Sequence, residues 1–173
     1  MKCIYVMKKA WIICLLMGMT ACSSDNVVVG NVKVSEVKTS ECKTSVSKND
    51  TRPEFYDDVV NQIATLTMQM GTSNTVDARF LDVRDNCIIG QFHVDASCND
   101  HQLVLVLYPE KDALTDCVCV YDVDFKIQDL LPGDYQLAVY HTTSTKDVNA
   151  SNRIYQGTVT LNAHQAITLT MDR

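Results

Sequence analysis

No run of apolar residues in this chain is long enough to cross a bilayer. The longest, Ala10 to Ala21, is about a dozen residues, where a spanning helix needs roughly 20. Positive charge is scarce too. Fifteen lysines and arginines face 21 acids, for a formal net charge of −6, a balance that repels phosphate backbones and sets nucleic-acid binding aside. Motifs with a known chemistry are missing. No serine sits in a Gly-x-Ser-x-Gly elbow, no His-Glu-x-x-His pair offers a zinc-protease site, and no glycine-rich loop can cradle a phosphate. Absence of Cys-x-x-Cys removes the usual redox motif. These gaps point away from an enzyme, and the sequence assigns no catalytic residue, cofactor or metal ligand.

What is present begins at the N-terminus. Lys8 and Lys9 form a positive flank, and Ala10 to Ala21 has the length of a signal-peptide core. Met7 is as good a start as Met1, because Met7-Lys8-Lys9-Ala10-Trp11 already completes that flank. The run Leu15-Leu16-Met17-Gly18-Met19-Thr20-Ala21-Cys22, followed by Ser23, Ser24 and Asp25, resembles a bacterial lipobox, whose cysteine is lipidated and becomes the mature N-terminus. A plain secretory signal is the rival, since Met19 is a tolerated rather than ideal residue three before the cysteine. The expectation is a lipoprotein signal peptide over 1–21, palmitate and companion acyl chains on Cys22, a tether over 22–30 and one domain over 31–173. Each buried methylene adds about 0.8 kcal/mol, so several chains hold the protein firmly in a membrane, here the bacterial outer membrane. Without residues 1–21, which carry three lysines, no acid and the only tryptophan, Trp11, the net charge becomes −9.

Beyond the tether, alternation of apolar and polar residues dominates. Val32, Val34 and Val37 suggest an edge strand, and Lys38 to Thr51 is a polar connection. Thr51-Arg52-Pro53-Glu54 has the form of a capping box with an early proline, and Phe55, Val59 and Ile63 follow at helical spacing, predicting a short helix before a strand over Ala64 to Met70. The clearest alternation is Cys117 to Ile127, with Cys117, Cys119, Tyr121, Val123, Phe125 and Ile127 on one face and Asp122, Asp124 and Lys126 on the other. Leu103 to Tyr108 is apolar on both faces and reads as a central strand. Ile154 to Leu161 and Ala166 to Met171, joined by Asn162-Ala163-His164-Gln165, read as a hairpin. Leu131-Pro132-Gly133-Asp134-Tyr135 is similar to the tyrosine-containing turn of immunoglobulin-like and fibronectin-type sandwiches. The fold expected is all-β, an antiparallel immunoglobulin-like or fibronectin-like sandwich of seven or eight strands.

Export makes disulfides the expected fate of the five cysteines that follow Cys22, namely Cys42, Cys87, Cys98, Cys117 and Cys119. Cys117 and Cys119 share a strand face about 7 Å apart, so each faces a partner elsewhere. Cys87 and Cys98 are the natural partners, Cys42 competes, and one thiol of the five is left over. A zinc site on Cys117 and Cys119 is the sharper alternative, but Cys-x-Cys on a strand is not the usual knuckle. The acids Asp122, Asp124, Asp129 and Asp134 read as a solvated face rather than a calcium site, which needs six or more oxygens. Of the tyrosines, Tyr108, Tyr140 and Tyr155 are the candidates for a sugar-stacking platform.

Asn86-Cys87, Cys98, the run Cys117-Val118-Cys119-Val120-Tyr121-Asp122-Val123-Asp124-Phe125-Lys126-Ile127 and the Gly133-Asp134-Tyr135 turn together resemble a group of small Bacteroidetes lipoproteins of unassigned function. Ser40-Glu41-Cys42 is similar to their early cysteine. Many members carry a further cysteine just before the Cys-x-Cys pair that is absent here, so the resemblance assigns no disulfide pairing. It implies a lipid-anchored sandwich and carries over no catalytic residue. The function expected is a non-catalytic interaction or assembly module at the cell envelope with a protein partner. Alternatives are an inhibitor of a secreted protease, using a loop such as Thr142 to Asn152, and a glycan-binding module.

Overall fold

A computed structural model describes residues 32–47, 59, 61–112 and 115–172. The signal segment, Cys22 and the tether lie outside these residues. So does most of the expected helix, of which Val59 and Asn61 have helical backbone and Val59 is buried.

Ten strands build two sheets: β1 (Lys33–Thr39), β2 (Thr44–Ser47), β3 (Thr65–Met70), β4 (Val76–Asn86), β5 (Phe92–Asn99), β6 (Gln102–Pro109), β7 (Cys117–Gln128), β8 (Gly133–His141), β9 (Arg153–Leu161) and β10 (Ala166–Thr170). The larger sheet runs β1-β7-β4-β3-β10, with β2 also on β7, and the smaller runs β5-β6-β8-β9. The protein is therefore an all-β sandwich. The seven or eight strands expected become ten partly because the edge along β7 is split in two. β1 pairs with the far half of β7 and β2 with its first half, and the chain bulges out between them at Ser40–Lys43.

The core follows from the alternation. Leu66, Met68, Phe80, Val123, Phe125 and Ile127 of one sheet meet Phe92, Leu103, Leu105, Leu107, Leu137 and Val139 of the other, all at most 2% exposed. Burial of each such side chain contributes about 1.5–3 kcal/mol. Phe80 stacks on Phe125 at 5.5 Å. In β4 the inward residues are Val76, Ala78 and Phe80, then Val83; the pairing with β7 shifts between Phe80 and Val83, and Asp82 has φ of +61°. This bulge returns Val83 to the core. Asp122 secures it by accepting the Asp82 N–H at 3.1 Å.

Two expectations of pairing are corrected. The sandwich is not wholly antiparallel, because β6 and β8 run parallel. Between them the chain crosses to the other sheet as β7, and two reversals of direction bring it back aligned with β6. Nor do β9 and β10 form a hairpin: β9 pairs with β8, and β10 with β3. His164 takes φ of +63° and donates its N–H to the Met70 carbonyl at 2.9 Å, which turns the chain onto the other sheet.

Candidate binding face and its distal loop

The two sheets present different outer surfaces. On the larger sheet the outward residues of β3, β4 and the second half of β7 are largely polar and paired, whereas Val118 and Val120 on its first half pack with Val59. Arg79 holds Asp124 through two contacts of 2.6 and 2.9 Å, Lys126 meets Glu36 at 2.9 Å, and Lys43 bridges Asp82 and Asp122 at 2.6 and 2.5 Å. Partial burial works against the Lys43 charge, yet the hydrogen bonds it donates to Asp122 and then Asp82 leave its pKa raised. Thr67 and Thr168 place their hydroxyls 3.3 Å apart. Asp122 and Asp124 are thus engaged with cations of the protein, and Asp134 accepts from the Thr160 hydroxyl at 2.5 Å. Among the described residues, no group of three or more His, Cys, Asp or Glu could hold a metal.

The outer face of the smaller sheet carries Val104, Val106 and Tyr108 of β6 and Ala138 and Tyr140 of β8, all half-buried. Registry puts Val104 beside Ala138 and Val106 beside Tyr140, so these side chains form one apolar band across two neighbouring strands. Gln102, Gln136, Arg153 and Gln156 border a depression of about 330 Å³ on it. An ion pair, Lys146 with Asp95, lies at the Tyr108 end of this band. The apolar-on-both-faces pattern of Leu103 to Tyr108 was the sequence signal for the band. That strand is central, as expected, but it is buried on one face only.

At the end of the band farthest from the start of β1, the loop after β8 folds back over it. Lys146 sets its ammonium 4.4 Å from the centre of the Tyr108 ring and 2.8 Å from Asp95. Tyr108 donates to the same carboxylate at 3.3 Å, and His93 stacks on the ring at 5.4 Å. Hydrogen bonds with Asp95 and then Tyr108 raise the Lys146 pKa. The loop is braced. Asp112 accepts the Ser144 N–H at 2.9 Å and its hydroxyl at 2.8 Å, and Asn149 caps a 3₁₀ turn over Ala150–Asn152. Lys146 carried no sequence signal, because nothing local marks a loop lysine for a distant tyrosine.

The candidate sugar platform is dispersed. Tyr108 is occupied by Lys146 and His93. Tyr155 lies beside Val139, an inward residue, and its ring lies over Gly157, where an added Cβ would meet the hydroxyl at 2.7 Å. Tyr140 lies on the apolar band beside Val106.

Of the cysteines, Cys87 is bonded to Cys117 and Cys42 to Cys119, with Cα separations of 5.5 and 5.7 Å. Cys98 is a free thiol, correcting its reading as a natural disulfide partner. It sits near the end of β5, opposite Leu103 of β6, whereas Cys117 and Cys119 lie at the start of β7 in the other sheet. Burial raises the Cys98 pKa. Of the remaining histidines, His101 accompanies Tyr135 at 5.5 Å, and His141 meets Asp85 at 3.1 Å across the two sheets. Compared with protein-family models, curated proteins and solved structures, the chain matches none.

Proposed function

We propose that this chain is an exported, non-catalytic interaction module of a bacterial envelope. It is anchored through lipid on Cys22 and docks a protein partner on the apolar outer face of its smaller sheet. The observation that carries the reading is the contrast between the two outer faces. One is laced with ion pairs, while the other offers Val104, Val106, Ala138 and Tyr140 as a contiguous apolar band with a polar border. Such a band, rimmed by Gln and Arg, has the make-up of a protein interface. A glycan is the weaker occupant, because two of the three tyrosines are engaged elsewhere.

The test is crosslinking in intact cells followed by mass spectrometry of what the chain retains. One dominant protein is expected with the natural sequence. It should be lost with Val106→Glu and Ala138→Arg and retained with Thr67→Lys on the opposite face, all three giving unchanged circular dichroism. Retention by the first two variants would remove the band from the reading, and a preparation without a partner would remove the protein docking itself. Cys22→Ser tests the anchor separately: the chain should leave the membrane fraction.

The braced loop Thr142 to Asn152 supports a second reading, inhibition of a secreted protease by a rigid projecting loop. No inhibition across a panel of envelope proteases at micromolar protein would end it.

A further inference from the structure

We propose that the free edge of β9 pairs with the same edge of a second copy of this chain, joining two four-stranded sheets into one of eight strands. An edge strand offers unpaired N–H and C=O groups to any other strand unless something blocks it. Among the described residues, three of the four sheet edges are guarded. β1 carries Lys33, Glu36 and Lys38, and its edge is broken at Ser40–Lys43 before the four residues of β2. β5 holds His93 and Asp95, and the Thr39 hydroxyl of β1 accepts the Phe92 N–H at 2.8 Å. β10 is only five residues long. β9 has nine residues, and after Arg153 it holds no charge and no proline from Ile154 to Leu161.

The Ile154 carbonyl accepts the Asp172 N–H at 2.6 Å, so it points away from β8. Strand alternation turns the N–H and C=O of Gln156, Thr158 and Thr160 the same way. Those of Tyr155, Gly157, Val159 and Leu161 point at β8, opposite Val139, Leu137, Tyr135 and Gly133. Among the described residues, no strand or loop meets the outward backbone groups of Gln156, Thr158 and Thr160.

β9 is complementary to itself about Thr158. In an antiparallel pair with a two-fold axis through that residue, Thr158 lies opposite its counterpart and Gln156 opposite Thr160, all on the outer face and uncharged. The Thr158 hydroxyl accepts from the Gln136 amide at 2.9 Å and keeps its own proton to donate across the axis; threonine pairs of this kind stabilise a sheet. On the inner face Tyr155 lies opposite Leu161 and Gly157 opposite Val159, so apolar meets apolar. The two Arg153 side chains fall at opposite ends of the pair, and no like charges meet. A foreign strand would have to supply this alternation, whereas a second copy carries it already. The apolar bands of both copies stay open on one side of the joined sheet, so self-pairing does not depend on the docking role of the band.

Self-association is read in intact cells from full chains carrying two different tags, by recovery of one tag with the other after crosslinking. The natural sequence should show it. Thr158→Pro removes one outward N–H and no bond to β8, and Thr158→Lys sets two like charges on the axis. Both should lose the association with an unchanged circular dichroism spectrum. A Thr158→Lys chain expressed with a Thr158→Glu chain should regain it, because the two residues meet. Val106→Glu, on the apolar band, should leave it intact. No association of the natural sequence, retention by both Thr158 variants, or no rescue in the mixed pair would each overturn the proposal. Loss in Val106→Glu with the Thr158 variants unaffected would overturn it too, by placing the second copy on the apolar band. Each outcome is independent of whether a different protein docks there.

Discussion

The hydroxyl of Tyr135 donates a 2.6 Å hydrogen bond to the carbonyl oxygen of Leu131, four residues earlier in the chain. The bond ties the first turn of β8 to the link that carries the chain from one sheet to the other, just before Gly133 at φ of +154°. The ring is 5% exposed, and burial, then the nearby Cys98 thiol, raises the phenol's pKa. Tyr135→Phe keeps the ring and leaves the Leu131 carbonyl without its donor. Loss of one such bond should cost about 1–2 kcal/mol in denaturant unfolding with an unchanged slope. A variant as stable as the natural chain would show that water replaces the hydroxyl at no cost.

That corner was legible because it needs only adjacent residues, Pro132-Gly133 for the turn and Tyr135 two places later. β7 was legible for a similar reason: twelve residues of alternation fix which face is buried. What escaped were the relationships set by distant chain. Nothing in Ile154 to Met171 says that β10 prefers β3, because the preference lies in Thr65 to Met70 and in a single hydrogen bond from His164. Likewise, the apolar outer face of β6 was visible, but whether another layer covers Val104 and Val106 depends on where every other strand goes.

The two disulfides should differ in weight. Cys42–Cys119 closes a separation of 77 residues and Cys87–Cys117 one of 30. Loop-closure entropy makes the first worth about 0.8 kcal/mol more when each acts alone, on totals of roughly 3.6 and 4.5 kcal/mol. Each paired variant keeps the other bridge acting alone, so the two variants should differ by this same amount. Urea unfolding of the paired variants Cys42→Ala with Cys119→Ala, and Cys87→Ala with Cys117→Ala, tests the order. A reversed ranking would mean that the cavity left by each pair, rather than chain entropy, decides.

Cys98 carries a pH signature. Burial lifts its pKa above the ordinary thiol value of 9.0, so the unfolded chain releases this proton first as pH rises. The stability gained from keeping the thiol neutral is complete below about pH 9 and declines above it, levelling off once the folded thiol also ionises. Alkylation of Cys98 in the folded chain should show a midpoint above that of the same peptide after unfolding, and Cys98→Ala should remove this contribution to the alkaline loss of stability. Coincident midpoints would show that the thiol is fully solvated.

Asp112 accepts both hydrogen bonds that Ser144 offers, and this holds the loop over the apolar band. Asp112→Ala should leave the global unfolding midpoint nearly unchanged, because the bonds are exposed and tie only a loop. Amide exchange should nonetheless accelerate across residues 142–148 and not in β8. An unchanged exchange profile would assign the bracing to Asn149 and its 3₁₀ turn, or to Lys146 on Tyr108 and Asp95.

The difference between the outer faces leads to opposite outcomes for equally drastic changes. Arg79 and Asp124 are each about half exposed, so Arg79→Met removes a solvent-screened pair and should shift stability by no more than about 1 kcal/mol. It should leave the proposed partner bound, since no apolar contact is lost. Val106→Glu also falls on a half-buried position, where its carboxylate can reach water, and the fold should survive it. On the proposed docking face, however, that carboxylate would be buried beside Asp95, which lies opposite Val106 and already engages Lys146, and binding of the partner should be lost. Measured together by retention of the crosslinked partner and by thermal unfolding, the two variants separate a surface that solvates the fold from one that serves recognition. Equal loss of partner in both would mean that the interface spans the ion-paired sheet as well, and the apolar band could no longer be its centre.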